Sequence, residues 1–199
     1  MKKDQYREVI KGLTDKELLF HLYLTQGLLL IVSFFLGLFL FDSFYEFLTL
    51  FQWADPNIWQ VGALAGLIVV AIDMTLMRIV PARMYDDGGL NQRIFQNKNI
   101  IQVFVLAAIV AISEEILFRG VIQTHFGLIV SSIIFALVHY RYLFNWFLFL
   151  NIVILSFVIG FIYMRTGNLS VTILMHFTID FLLGLSISRK KIGRGRDFE

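Results

Sequence analysis

The sequence predicts an all-α fold: a polytopic transmembrane helix bundle of about six spans with polar residues buried among them. Three observations predict it. The 199 residues are 58% hydrophobic and include 21 Phe, with a mean hydropathy of +0.74, whereas soluble domains sit at about 45–50% apolar. The apolar residues come in runs of about 20, which at about 1.5 Å per residue cross a hydrocarbon core of roughly 30 Å. Lys and Arg gather in alternate connecting segments, as the positive-inside rule requires of a multi-pass chain. Cysteine is absent, so neither a disulfide framework nor a thiolate metal site is available.

Taken in order, Met1–Phe20 is polar and basic (Lys2, Lys3, Arg7, Lys11, Lys16) and reads as an amphipathic lead-in. Leu22–Phe41 is the first span. A secretory signal would have a shorter apolar core and a small-residue cleavage site, so this helix is read as retained. Asp42–Asn57 carries Asp42, Glu46 and Asp55 but no Lys or Arg. Pro56 suits the first turn of the second span, Ile58–Val80, which Pro81 stops. Asp73 lies inside that span and reads as a structural charge paired across helices, or else as support for a site. Ala82–Asn99 is polar, with a turn at Asp86-Asp87-Gly88-Gly89 and the cations Arg83, Arg93 and Lys98. It separates residues 1–99, the lead-in and two helices, from a four-helix core at 100–187 and a basic tail at 188–199. The core spans are read as starting at Ile100, then Leu128–Tyr140 after a turn at Gly127, about Leu143–Met164 with Asn145 and Asn151, and Leu169–Ile187 after Thr166-Gly167-Asn168. With Arg141 in agreement and Arg165 against, both termini are expected in the cytoplasm and Asp42–Asn57 outside.

The third span runs into Ser113-Glu114-Glu115-Ile116-Leu117-Phe118-Arg119. A charge near the bilayer centre costs roughly 2.5–3.5 kcal/mol on insertion scales, so three within seven residues need partners and suggest a site. Glu115 and Arg119 stand four apart on one helix face and can pair. Glu114 points about 100° away from that face. Of the four histidines, His21 and His125 read as interfacial, while His139 and His176 lie within apolar helices. Glu115 precedes Gly127 by twelve residues and His139 follows it by twelve. A hairpin turning at Gly127 puts both about 18 Å below the turn, and His176 lies about 14 Å below the turn at Gly167. All three then sit within one helical turn of a common depth. Phe135 shares a face with His139, and His176 with Asp180, each pair being four apart.

Glu-Glu-x-x-x-Arg (Glu114, Glu115, Arg119), Phe-x-x-x-His (Phe135, His139) and His-x-x-x-Asp (His176, Asp180) on successive membrane helices resemble the CPBP family of intramembrane proteases. That family groups CAAX prenyl endopeptidases with bacteriocin-processing or immunity proteins, and is also called Abi. The resemblance covers about Ile100–Ile187. It implies a cell-membrane endopeptidase acting on a membrane-anchored, CAAX-like protein or peptide, with no role for nucleic acid. In that likeness Glu114 is the general base for a water that His139 helps hold, and His176 with Asp180 stabilises the oxyanion. Glu115 with Arg119 fixes the first helix. The prenyl proteases commonly carry asparagine where this chain has Asp180, which weakens the inference to a prenylated substrate more than the inference to a protease.

Two histidines and a glutamate also make a hydrolytic zinc set, so Glu114, His139 and His176 are the ligands if zinc is bound. The favoured reading requires no cofactor. Two further classes compete with a peptidase: a non-enzymatic immunity or assembly factor that binds a partner membrane protein, which would tolerate Glu114→Gln, and an ion-coupled or haem protein, which would leave Glu-Glu-x-x-x-Arg idle.

Overall fold

A computed structural model of the chain describes residues 3–139, 142 and 145–189. All its described regular structure is helical: α1 (Lys3–Gly12), α2 (Asp15–Leu40), α3 (Phe44–Thr49), α4 (Ile58–Ile79, opening with a π-helical turn), α5 (Leu90–Phe95), α6 (Ile100–Glu115), α7 (Thr124–Val138), α8 (Trp146–Thr166) and α9 (Leu169–Arg189). A π-helical stretch, Ile116–Gln123, joins α6 to α7. Tyr140, Arg141, Leu143, the far N-terminal Lys2 and the tail from Lys190 onward lie outside the described residues.

Helix ends follow local capping chemistry. α2 begins seven residues earlier than Leu22 because Thr14 caps it: its hydroxyl accepts from the Glu17 N–H, and the Glu17 carboxylate accepts from the Thr14 N–H at 2.7 Å. Asn99 and Gln102 make the same reciprocal box at the start of α6, both bonds at 2.9 Å. α8 starts at Trp146 rather than inside the preceding segment because Asn145 is its N-cap, not an interior polar residue.

Five apolar stretches are long enough to cross a membrane, and the chain is a multi-pass membrane protein. The span count differs from six at one place. Ile100–Val138 is one apolar run of 39 residues, but Gly127 interrupts it with φ 84° and ψ 172°, outside helical geometry and in a region open to glycine. The chain reverses there: the Ser131 hydroxyl reaches back to the Phe118 carbonyl at 2.6 Å, and Phe135 packs edge-on to Phe118. After the break, residues 128–138 rise only about 17 Å, little more than half a bilayer core. The fourth span is therefore a half-length helix.

Contacts fix the directions of the others. Gln26 meets Ser113, so α2 runs parallel to α6, as does α8, where Arg119 meets Ser156 and Gln123 meets Gly160. α9 runs the opposite way, with His176 at Glu115 and Ser188 at Lys98. α4 runs with α9, closely enough that a Cβ on Gly62 would lie 2.5 Å from the Val171 carbonyl oxygen, and one on Gly66 2.8 Å from Thr178 Cβ. Small residues four apart permit that approach between membrane helices. The start of α2 and the end of α9 thus lie on one face, where Arg93 clamps Asp15 at 2.8 Å and the carbonyls of Ile10 and Leu13.

The opposite face is closed by the segment around α3. Asn168, fully buried in the α8–α9 turn, donates to the Gln52 carbonyl at 3.0 Å and to the Asp55 carboxylate at 3.1 Å, and accepts from the Gln52 N–H. The Asn57 N–H and then this Asn168 amide hold the Asp55 carboxyl below the ordinary carboxylate range. Asp73 is half-buried and makes no hydrogen bond or ion pair among the described residues, so the expected pairing across helices is not found.

Candidate active site

Six polar side chains named from the sequence converge at the inner end of the half-length helix. Glu114 and Glu115 occupy the last turn of α6, where the winding changes to i→i+5. Such π segments are uncommon and frequent at functional sites. Glu115 is completely buried, and Arg119 is 1% exposed. They pair at 3.1 Å, four residues apart. Arg119 is further held by the Ser156 carbonyl and hydroxyl at 3.2 and 3.3 Å, and its guanidinium lies 4.7 Å from the centre of the Phe135 ring. Burying a guanidinium in hydrocarbon demands this degree of compensation.

The same Glu115 oxygen that faces Arg119 accepts a hydrogen bond from His176 Nδ1 at 2.9 Å. Helix spacing alone does not reveal this bond, because it crosses from α6 to α9. The other ring nitrogen, Nε2, is 3.6 Å from Asp180, whose side chain is 29% exposed, the most open of the six. Glu114 and His139 face each other across 3.9 Å, Oε2 to Nε2, with side-chain exposures of 10% and 15%. His139 is the C-cap of α7, and its Nδ1 donates to the Phe135 carbonyl at 2.8 Å. That carbonyl can only accept, so the neutral ring carries its proton on Nδ1 and offers Nε2 as an acceptor toward Glu114. Phe135 also stacks on the His139 ring, 4.4 Å between centroids.

His21 and His125 stand apart from this group. His125 bonds to the Val121 carbonyl and packs edge-on against Phe41 near the closed face. Sequence reasoning missed Gln26, which accepts a 2.6 Å hydrogen bond from Ser113, the residue before Glu114. It also missed Ser156 and Gln123, whose amide donates to the Gly160 carbonyl at 2.6 Å. Each is a polar residue within a predominantly apolar run, which is the signal that could have found them.

The zinc set Glu114, His139 and His176 is not drawn together as a ligand group as these side chains stand. Among the described residues no three His, Asp or Glu side chains are grouped as metal ligands. His176 and His139 direct Nδ1 to Glu115 and to a carbonyl, as ligating histidines do, so Nε2 is the nitrogen each would offer a metal.

Comparison with known proteins bears on the same region. A family model described as "Type II CAAX prenyl endopeptidase Rce1-like" matches residues 96–182, which contain all six side chains. The uncharacterized protein YpbD of Bacillus subtilis (strain 168) is 39% identical over 176 residues, 88% of this chain and 93% of that protein. The chain belongs to the CPBP family of CAAX-type membrane proteases. Its likeness to YpbD extends well outside the family match, over most of both chains. A second relative, the UPF0177 protein YxdF of Lactococcus lactis subsp. lactis (strain IL1403), is 30% identical over 149 residues, 70% of this chain and 82% of that protein. No solved structure matches the chain.

Proposed function

We propose that this CPBP-family protein is an endopeptidase that cleaves a membrane-anchored protein or peptide with a water activated by Glu114. The observation that carries the reading is the gap of 3.9 Å between Glu114 Oε2 and His139 Nε2. It is too wide for a direct hydrogen bond, yet one water about 2.8 Å from each atom fits between them. Because both atoms accept, that water donates one hydrogen to the carboxylate and one to the ring. Its lone pair is then left to face a substrate carbonyl.

The proton inventory follows from this arrangement. As the water oxygen bonds to the carbonyl carbon, its proton passes to Glu114 and the carbonyl π electrons move onto oxygen. Collapse of the tetrahedral intermediate breaks the C–N bond, and Glu114 returns the proton to the leaving amine. His176, flanked by carboxylates on both sides, donates to the oxyanion from Nε2 when its ring is protonated, with Asp180 beside it. Glu115 sets that ring's orientation and neutralises Arg119. None of these steps uses a metal.

Access is from the basic face, which we take as cytoplasmic. Asn168 ties the segment after α3 down at the other face, through Gln52 and Asp55, which supports entry from the face that carries Arg83 and Arg93. The test is cleavage of membrane-anchored peptides by the purified protein in proteoliposomes. Cleavage by the wild type and none by Glu114→Gln, at equal yield and fold, is expected. Full activity in Glu114→Gln would remove Glu114 from the chemistry and favour a binding role for the protein.

A further inference from the structure

Phe135 holds the His139 ring from within α7, through its carbonyl and by stacking, but the His139 backbone leaves the helix. As the C-cap of α7 it has φ −87° and ψ 30°, outside helical geometry, so what anchors that backbone also bears on the ring. The His139 carbonyl accepts from the Tyr142 N–H at 2.9 Å, and the Tyr142 carbonyl accepts from the Asn145 N–H at 2.9 Å. Two hydrogen bonds, each between residues three apart, therefore link His139 to Tyr142 and Tyr142 to Asn145. The buried Tyr142 ring lies nearly parallel to the imidazole, 10° between planes and 6.1 Å between centroids.

Asn145 ends this series and uses its whole side chain. The carboxamide oxygen caps α8 by accepting from the Leu148 N–H at 3.4 Å. The amide nitrogen donates its two hydrogens to the carbonyls of Arg83 at 3.1 Å and Asp86 at 3.4 Å. Only 8% of the residue is exposed. Arg83 and Asp86 belong to the connection from α4 to α5, which is itself tied down. The Tyr85 hydroxyl donates to the Met77 carbonyl at 2.6 Å, and the Asp87 carboxylate accepts from the N–H groups of Gly89 and Asn91, both at 2.9 Å. A cap needs only an acceptor, and Ser or Asp serves about as well as Asn. The two donated bonds are surplus to capping.

We propose that Asn145 is a positioning residue for His139, anchoring the hydrogen-bonded series His139, Tyr142 and Asn145 to the carbonyls of Arg83 and Asp86 so that the imidazole stays at the distance from Glu114 that seats one water. The connection outside the family match thereby becomes part of the machinery. The inference rests on the peptidase reading for its consequence, and on the hydrogen bonds alone for the tether. A displacement of about 1 Å at such a site costs up to about 100-fold in rate, so loss of the tether should lower kcat by roughly 10- to 100-fold and leave KM within about twofold.

The test uses the full chain, purified in lipid nanodiscs with 13C-labelled histidine. There are four histidines, and His139→Gln assigns the signal of interest. Asn145→Ser keeps a neutral cap but is too short to reach both carbonyls. Asn145→Asp keeps the cap but donates nothing when ionised. In the folded fraction recovered by size exclusion, both should shift or broaden the His139 resonance while those of His21 and His125 stay in place, and lower kcat for peptide cleavage. The thermal midpoint should fall, further for Asn145→Asp, whose carboxylate would face two carbonyl oxygens. Unchanged His139 signal and kcat in both variants would overturn the tether and leave Asn145 as a cap. A moved His139 signal in preparations where even the wild type cleaves nothing would uphold the tether and overturn the peptidase reading.

Discussion

Replacing Glu115 by Gln isolates the burial cost of Arg119 from the chemistry assigned to Glu114. Glu115 is 0% exposed and Arg119 1%, so the amide leaves a guanidinium in the membrane interior without its countercharge and weakens the bond to His176. Breaking a buried pair from one side typically costs about 3–5 kcal/mol. The bonds from Arg119 to Ser156 and its stacking on Phe135 remain, which favours the lower end. At about 2–4 °C per kcal/mol for a chain of this length, the thermal midpoint should fall by roughly 6–20 °C. Glu114→Gln, isosteric and at the more open position, should stay close to the wild type. The assay is thermal unfolding in detergent followed by tryptophan fluorescence, with size-exclusion recovery as a check. The double variant Glu115→Gln/Arg119→Met should lose less than the sum of the single changes, because removing both charges removes the unpaired one. A wild-type midpoint for Glu115→Gln, or strict additivity in the double variant, would refute the view that this pair is energetically coupled.

The cysteine-free background permits a direct topology test: Lys16→Cys should resist an impermeant thiol reagent on intact cells and Tyr45→Cys, on the 76% exposed side chain of α3, should react, with the reverse result inverting the orientation. Gly66→Leu should push α4 off α9, since even a Cβ there meets the Met175 carbonyl oxygen at 2.9 Å. A stability loss of about 1–3 kcal/mol is expected, read as a lowered midpoint, and Gly27→Leu, where a Cβ meets nothing within 4 Å, is the control.

Much of the architecture was legible because membrane helices announce themselves by length and by where the basic residues fall. The hairpin at Gly127 was legible too, since glycine alone tolerates the φ found there, and counting outward from it put Glu115 and His139 at one depth. Two things were not. Hydropathy does not mark helix caps, so the starts of α2 at Asp15 and of α8 at Trp146 were not read. Spacing on one helix shows which residues share a face but not which neighbour they meet. The bond from Glu115 to His176 and the tether from Asn145 to Arg83 both cross between segments far apart in sequence, 61 and 62 residues.

Asp180 is where the proposed mechanism is most exposed to test, because an ionised carboxylate beside a developing oxyanion would repel it. The structure places Asp180 3.6 Å from His176 Nε2, at the open edge of the site. If Asp180 acts as a protonated donor, Asp180→Asn supplies an amide N–H in the same place without needing a proton. Activity should then persist, and its upper pH limit should rise, since the wild type loses its donor as Asp180 ionises and the variant does not. If Asp180 instead holds His176 through its charge, the amide is a poor substitute and kcat/KM should fall at least tenfold, about 1.4 kcal/mol in the barrier. The pH profile separates the two, because a merely structural change would scale the curve without moving its alkaline limb. Zinc content and chelator sensitivity, measured on the same preparations, address the competing ligand role. Asparagine can donate to an oxyanion but is a weak ligand, so retained activity in Asp180→Asn with an extended alkaline limb agrees only with the donor. An inactive, well-folded Asp180→Asn that has also lost near-stoichiometric zinc would make the site a metal centre and replace the water-activating role assigned to Glu114.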